Sequence, residues 1–300
     1  MRQPFSSSHQ GIQSEHLDDM VTTTRRSFLK NACRFGLLGA IGYTIFVERY
    51  IVVTNFYRIP VPNLPESFSG FRIVHLSDLH YGFLVPLALI PSVINRANEL
   101  KPNLIVCTGD YCHGGSSSTQ IDQVWSVLQR LTAPSGVYSV LGNHDHWADT
   151  ARSDYWLKRT GQDLRHRSVR IDRDRHHFRL IGAGDLWEDH IGLRQLLRDV
   201  PDTDCRIILA HNPDTADSEP YSRFDLMLSG HTHGGQVDVP FVGPPVLPVE
   251  NKNYSSGLKL SIRGNRVFIS KGIGWAICPV RFNCFPEIAV LELVPERGQE

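Results

Sequence analysis

The sequence has little of what would mark a disulfide-stapled, a metal–thiolate or a nucleic-acid-binding protein. Its 300 residues include only six cysteines, and none of them forms the Cys-x-x-Cys pair of a zinc ribbon or a thioredoxin-like site. Cys278 and Cys284 could pair in an oxidising compartment, but their spacing alone does not set the geometry. There is no charge excess, because 31 Lys and Arg balance 31 Asp and Glu. Without a basic surface we expect no nucleic-acid partner.

Long hydrophobic runs are also missing. The uncharged apolar segment at residues 35–47 would span roughly 20 Å as a helix, which is less than the ~30 Å hydrocarbon core of a bilayer. With 41% apolar and 21% charged residues, the composition is that of a globular protein and excludes a polytopic membrane protein. A chain of this length can bury the core of one large α/β domain or of two small ones.

A distinctive string stands directly before the apolar segment. Residues 24–30 run polar, Arg, Arg, any residue, two hydrophobics, Lys, which resembles a twin-arginine (Tat) export signal at every position. The apolar segment has the length of a signal-peptide core, with a buried helix as the alternative. We therefore predict transport by the Tat translocase to the periplasm or the outer face of the cytoplasmic membrane. No Ala-x-Ala site follows Val47, so cleavage and retention as a membrane anchor both stay open.

The sequence divides into three parts on this interpretation. Residues 1–23 are polar without periodicity and are predicted to be disordered, residues 24–53 carry the export signal and apolar segment, and residues 54–300 form one domain. From residue 71 the alternation of apolar runs and amphipathic stretches predicts a βαβαβ order and an α/β fold. We expect strands at 71–76, 104–108, 136–141, 206–210, 226–229, 257–262, 267–270 and 288–293, helices at 87–100 and 121–131, and a hairpin at 164–183.

Polar clusters follow five of the expected strands directly. They are Asp78-Leu79-His80, Gly109-Asp110, Gly142-Asn143-His144-Asp145, His211 and Gly230-His231-Thr232-His233. Open α/β sheets bind ligands at the carboxyl ends of their strands, so these clusters are expected to lie together. Each is weak alone, since a single Asp-x-His is usually a capped turn, but five in succession are hard to obtain by chance.

The donor atoms in these clusters suit a hydrolytic metal centre. Carboxylates, imidazoles and one amide carbonyl favour Mn, Fe or Zn, of which we favour Mn, and thiolates are missing. Asp110 is a carboxylate that can bridge two cations about 3.5–4 Å apart, as in two-metal hydrolytic sites. The glycines let the backbone turn sharply beside a ligand.

The ordered set of clusters resembles the calcineurin-like metallophosphoesterases, whose pattern is D-x-H, G-D, G-N-H-[DE], H and G-H-x-H. The resemblance covers roughly residues 70–295. Residues 184–187 and 209–214 are similar to those of a subgroup, the Tat-exported bacterial phosphodiesterases. The resemblance implies a double β-sheet sandwich flanked by helices, in four layers, that holds two divalent metal ions.

The resemblance also implies a role for each motif residue. The first metal would be held by Asp78, His80 and His233, the second by Asn143, His211 and His231, and both by the bridging Asp110. His144 would face the scissile phosphate, stabilise its developing charge and protonate the leaving oxygen. Asp145 would hydrogen-bond His144 and raise its basicity, as carboxylates do for imidazoles. The nucleophile would be a metal-bridging water or hydroxide.

Three further histidines need an interpretation. Many family members have an acidic residue where this sequence has His113, which we expect to be a solvated loop residue, with phosphate binding as the alternative. His146 follows the active-site turn, where a third acid–base group is not required. His75 lies inside an expected strand and is predicted to be a hydrogen-bonded core residue.

The motifs predict a metal-dependent phosphoesterase, most simply a phosphodiesterase, and leave its substrate open. Expected pocket loops are residues 81–85, 111–118, 147–156 and 236–254. Apolar side chains at 83–87 and 241–246 could grip a lipid-linked phosphate, such as a phospholipid or a UDP-diacylglucosamine-like substrate, or they could pack on each other. A protein phosphatase and a non-catalytic metal-binding envelope protein also stay open, and the latter would show a broken ligand set.

Overall fold

The computed structural model describes residues 25–82, 84–219 and 223–296. The segment predicted to be disordered, residues 1–23, lies outside this part of the chain. The chain divides into two units, Met1–Gly42 and Tyr43–Glu300. Helix α1 (Arg25–Phe46) contains the two arginines and nearly all of the apolar segment, and none of its residues is buried. Across the described ranges, we find no helix with both the length and the apolar character needed to span a membrane.

Two mixed β-sheets build the second unit. Their strands are β1 (Val53–Val61), β2 (Phe71–Leu76), β3 (Leu104–Cys107), β4 (Val137–Ser139), β5 (Arg167–Arg173), β6 (His176–Gly182), β7 (Arg206–Leu209), β8 (Leu226–Ser229), β9 (Gly257–Leu260), β10 (Arg266–Ile269) and β11 (Glu287–Pro295). The helices are α2 (Leu89–Glu99), α3 (Ser118–Leu128), α4 (Asn143–Thr160) and α5 (Leu193–Leu196), with 3-10 turns at Glu48–Tyr50, Glu66–Phe68, Pro213–Asp217 and His233–Gly235.

The strand orders are β1-β11-β2-β3-β4 and β5-β6-β7-β8-β10-β9. Strands β2, β3 and β4 run parallel to one another, and so do β6, β7, β8 and β10. The hairpin expected at 164–183 is confirmed as antiparallel β5 and β6. Parallel neighbours bring their carboxyl ends to one edge of each sheet, and this edge carries the motif residues.

Successive side chains of a strand point to opposite faces of its sheet, and this explains why each sheet packs against a core on both faces. In β2, Ile73 joins the core between the two sheets, while Val74 joins a second core beneath α2, α3 and α4. In β7, Ile207 points to the central core and Ile208 to a third core with α5 and residues 247–254. Successive strand side chains point to opposite faces, so sheets buried on both sides read as continuous apolar runs. The predicted double β-sheet sandwich flanked by helices is confirmed.

Two elements differ from expectation. Residues 147–156 were expected to be a loop that lines the pocket, but they lie in α4, so the prediction of a loop is wrong. The helix is polar and has a non-helical Asp149 (φ −168°, ψ 98°), which hides its periodicity. Strand β1 was not expected at all, and it pairs in parallel with β11 at the edge of its sheet. Its Pro60 is tolerated because an edge strand need not donate every ladder hydrogen bond.

Candidate metal centre

Five strand ends supply the site. Asp78 and His80 follow β2, Asp110 follows β3, and Asn143 follows β4, while His211 follows β7 and His231 and His233 follow β8. The two sheets meet here, since Nδ1 of His211 lies 2.7 Å from the carbonyl oxygen of Thr108 in the other sheet. The structure therefore brings all seven predicted ligand residues together, and each is at least 94% buried.

The backbone at these residues is unusual. Asp78, His80, Asp110, His231 and His233 all have positive φ, between 48° and 69°. Side-chain-bearing residues rarely adopt this left-handed conformation, and such strain concentrates at functional sites. The sharp turns it produces bend each donor back over the sheet edge.

Glycines make room for the close approach of these turns. A Cβ at Gly142 would lie 2.3 Å from Oδ1 of Asp110, and one at Gly230 would lie 2.2 Å from Oδ2 of Asp78. Both positions have φ values open to other residues, so it is the lack of space that requires glycine there.

The donor atoms form two groups. Asp78, His80 and His233 make one group, and Asp110, His211 and His231 make the other, with the ligand atoms of each within 4.8 Å of one another. Oδ2 of Asp110 joins the groups, because it lies 3.3 Å from Nε2 of His80 and 3.2 Å from Nε2 of His211. One oxygen between two donor groups is the arrangement that a bridging ligand needs.

The chemistry of this cluster fits divalent cations. Asp78 and Asp110 are buried carboxylates side by side, which is costly unless positive charge is near. Burial alone would lower the pKa of His211, but the charge of Asp110 and its hydrogen bond raise the pKa to about 10. Oδ1 of Asn143 is buried and has no hydrogen-bond partner among the described residues, which leaves its lone pairs free for a cation. The donors therefore match the two-metal set that the sequence predicts.

His144 lies beside both groups and has its own partner. The backbone N–H of Gly114 donates to Nδ1 of His144 over 2.9 Å. This requires a lone pair on Nδ1, so the neutral ring carries its proton on Nε2. Burial lowers the pKa of His144 to about 4. The ring is therefore a neutral hydrogen-bond donor through Nε2.

Asp145 does not hydrogen-bond His144, so that prediction is wrong. Its carboxylate accepts four backbone N–H groups, from Asp110, Tyr111 and Cys112 on one turn and from Gly142 on the other, over 2.7 to 3.1 Å. A fully buried carboxylate beside Asp110 would otherwise be costly to ionise, and burial raises its pKa to about 7. Asp145 thus fastens the turn after β3 to the start of α4.

His113 also differs from its expected role. It is half-buried, its Nδ1 lies 3.4 Å from Nδ1 of His80, and its ring centroid is 4.7 Å from that of His144. His80, His113 and His144 form a third group with metal-binding spacing. His113 therefore faces the site rather than solvent, which its departure from the family pattern did not reveal.

The remaining histidines and cysteines are outside the cluster. His75 is a buried core residue whose Nε2 lies 2.8 Å from Oγ1 of Thr108, as predicted. His146 pairs with Asp189 over 3.3 Å. Cys278 is exposed and Cys284 buried, and both are free thiols.

The arrangement is that of a two-cation hydrolytic centre, and comparison with known proteins gives its family. The model of the calcineurin-like phosphoesterase family matches residues 71–235. The chain belongs to this family.

Phosphodiesterase YaeI of Escherichia coli is 36% identical over 90% of this chain and 99% of its own length. The metallophosphoesterase YkuE of Bacillus subtilis is 32% identical over 91% of this chain and 99% of its own length. UDP-2,3-diacylglucosamine pyrophosphatase LpxG of Chlamydia trachomatis is 25% identical over 78% of this chain and 88% of its own length.

Proposed function

We propose that the protein is a dimetal-dependent phosphodiesterase. The observation that carries this proposal is the single oxygen of Asp110 between two buried donor groups. Asp78, His80 and His233 would hold one cation and Asn143, His211 and His231 the other. Two such cations, with Mn favoured, would supply the charge that acidifies a nucleophilic water and draws electrons from the phosphate. The name of the relative YaeI supports a diester over a monoester.

His144 acts here as a hydrogen-bond donor to the phosphate. Nδ1 accepts the Gly114 N–H, and Nε2 has no hydrogen-bond partner among the described residues. A neutral imidazole that gave up the proton on Nε2 would become an unstable anion, so the geometry supports charge stabilisation over protonation of the leaving oxygen. Oδ1 of Asp110 accepts the His144 backbone N–H over 2.9 Å, which fixes the ring beside the bridging carboxylate.

Hydrolysis of two aryl esters tests the proposal. Turnover of bis-p-nitrophenyl phosphate and p-nitrophenyl phosphate is measured with Mn, with Zn and after metal removal. We expect metal-dependent turnover with the diester preferred. Faster turnover of the monoester would make the protein a phosphomonoesterase, and no turnover of either with bound metal would make it a metal-binding protein without this activity.

A lipid-linked substrate is the second candidate. It is favoured by apolar side chains that stay exposed on the expected loops, namely Leu84, Phe241, Val242 and Val246, and by the name of the relative LpxG. Exposed apolar patches are typical of membrane interaction sites and of ligand-binding grooves. Preference for soluble nucleotide diesters over a UDP-diacylglucosamine-like pyrophosphate would remove this candidate.

We further propose export through the Tat translocase, with action at the periplasmic face and peripheral or N-terminal membrane attachment. The proposal depends on the string at residues 24–30, of which residues 25–30 begin α1. Changing Arg25 and Arg26 both to Lys keeps the charge but removes the pair. Folded protein should then stay in the cytoplasm, as followed by cell fractionation. Unchanged delivery would show that the pair is incidental.

A further inference from the structure

Two half-exposed tryptophans border the metal centre. Trp147 on α4 is 50% exposed, and Trp187 in the loop after β6 is 52% exposed. Their rings are nearly parallel, with an interplanar angle of 16° and centroids 6.3 Å apart. The Trp147 ring lies 4.7 Å from that of His144, and the Trp187 ring lies 4.7 Å from that of His231. Flat apolar faces therefore stand next to both the phosphate-facing histidine and a metal ligand.

The two rings are held in place by hydrogen bonds and ion pairs of α4 and of the loop after β6. Nε1 of Trp147 donates to Oε1 of Glu188 over 2.6 Å, which links α4 to the loop. Oδ1 of the buried Asp185 accepts the backbone N–H groups of Trp187 and Glu188. Asp189 ties the same loop to His146 and Arg165. We call Trp147 and Trp187 the tryptophan platform. Because its rings are fixed before binding, it loses little conformational entropy when a ligand stacks on it.

A groove of about 970 Å³ is lined by Trp187, by residues 247–253 and by residues 260–262. It starts beside the site, because Nε2 of His231 lies 3.0 Å from the carbonyl oxygen of Pro248 in its wall. Its lining also includes Leu260 and Ile262, which are 61% and 79% exposed. The volume is that of a pocket for a small organic group rather than for a methyl substituent.

The charges of the groove disfavour an anionic occupant, because its lining holds three carboxylates (Asp214, Asp217 and Glu250) and one ammonium (Lys252). Lys252 is the one cation among the described residues that line it, and its ammonium donates to the carbonyl oxygens of Leu247 and Val249. The carboxylate of Asp214 is occupied by the backbone N–H groups of Glu250 and Asn251. No basic group in this lining is left to pair with a second phosphate, whereas a neutral ring would bury against Trp187 without leaving a charge unpaired.

We propose that Trp187, supported by Trp147, and the adjoining groove bind an uncharged ring on one arm of the phosphodiester, either an aromatic ring or the apolar face of a sugar. This inference rests on the proposed phosphodiesterase function and adds the class of substrate. A ring is favoured over an alkyl chain because the contact surface at the site is a flat aromatic face.

Binding of monoester products tests the ring subsite separately from turnover. Metal-loaded protein is titrated by calorimetry with methyl, n-hexyl and phenyl phosphate and with glucose 6-phosphate. We expect phenyl phosphate, glucose 6-phosphate or both to bind roughly tenfold more tightly than methyl phosphate, the gain typical of one stacked ring. Which of the two gains affinity identifies the ring as aromatic or as a sugar.

Variants test whether the higher affinity for ring-bearing esters comes from the tryptophan platform. Trp187→Ala should bring the ratio of ring-bearing to methyl ester affinity close to one, and Trp187→Phe should restore most of it. Phe56→Ala removes a comparably exposed aromatic side chain on β1 and should leave the ratio unchanged. An unchanged ratio in Trp187→Ala, equal binding of all four esters, or a gain for n-hexyl phosphate that Trp187→Ala also removes would overturn the proposal. Ring-selective binding by a protein that hydrolyses no diester would instead overturn the proposed reaction alone.

Discussion

At the scale of single residues, the two oxygens of Asp110 have different tasks. Oδ2 lies between His80 and His211, and Oδ1 accepts the backbone N–H of His144. A change at this position therefore affects both donor groups and the placement of His144. Asp78 also contacts both groups, but it reaches the second one only through the backbone N–H of His231.

Asp110→Asn should abolish hydrolysis and lower bound metal from about two ions per chain. The amide keeps the size and the Oδ1 acceptor, so the fold should survive while the charge between the cations is lost. Metal analysis after dialysis, together with turnover, measures both effects. Full metal content with normal turnover in this variant would remove the dimetal model.

His144→Ala should keep both metals and the fold but lose on the order of 10²–10⁴-fold in turnover, the range for a positioned proton-bearing group. Because the Gly114 N–H occupies Nδ1, we expect a similar defect for p-nitrophenolate and for a poor alkoxide leaving group. A defect that grows as the leaving group worsens would instead support protonation of the leaving oxygen. Loss of metal would mean that His144 is itself a ligand.

That the seven candidate ligand residues lie together could be predicted, because each follows an apolar strand closely. The contacts that could not be predicted join residues that are far apart in the sequence. Asp145 binds N–H groups more than 30 positions away, on residues 110–112. His113 reaches the site through the turn after β3, and Trp187 becomes notable only beside Trp147. None of these relations has a fixed spacing in the sequence.

At the scale of elements, Asp145 connects the turn after β3 with the N-terminus of α4. Asp145→Asn would keep one acceptor oxygen and place an NH₂ group against backbone donors. We expect a loss of about 2–5 kcal/mol in the free energy of unfolding, because buried N–H groups lose charged partners. Urea unfolding measures it. Asp174→Asn, in the exposed turn of the β5–β6 hairpin, is the matched control and should change stability by less than about 0.5 kcal/mol. Equal effects of the two variants would contradict the fastening role.

The elements that could be predicted are those with strong apolar periodicity. Strand β8 was expected at its observed bounds, and α2 within two residues of them. Helix α3 begins three residues before the expected Ile121, because Ser117 and Gln120 form a reciprocal cap at its start. Helix α4 was missed since its polar composition gives no apolar stripe, and β1 since its partner strand is more than 200 residues away.

At the scale of the whole molecule, a buried histidine makes stability depend on pH. Nε2 of His75 bonds Thr108, and its Nδ1 is buried without a partner among the described residues. Burial lowers the pKa of His75 to about 3. The unfolded chain, with a histidine pKa near ~6.5, therefore binds more protons between pH 3 and 6.5, and stability falls as pH falls through that window.

We expect the proton taken up by His75 in the unfolded chain to lower the free energy of unfolding by about 2 kcal/mol between pH 8 and pH 5. His75→Gln cannot titrate but can still bond Thr108, so its stability should fall less over the same range. Urea titrations of both proteins at the two pH values give the difference, in which other titrating groups cancel. The same fall in both proteins would show that His75 is protonated equally in the folded and unfolded chains.

The position of β11 has a consequence for the order of events in the cell. β11 lies between β1 and β2, and the Tyr57 hydroxyl donates to Glu287, 230 residues further along. Of the eleven strands, β1 is synthesised first and β11 last, so β1 cannot pair until synthesis is nearly complete. Until then, the edge of β2 that pairs with β11 stays unpaired. The proposed export signal at residues 24–30 is thus synthesised long before the domain that follows it can complete its fold. A transporter that accepts only folded proteins would suit such a chain. A transporter that moves the unfolded chain during synthesis would take β1 across the membrane before β11 had been made.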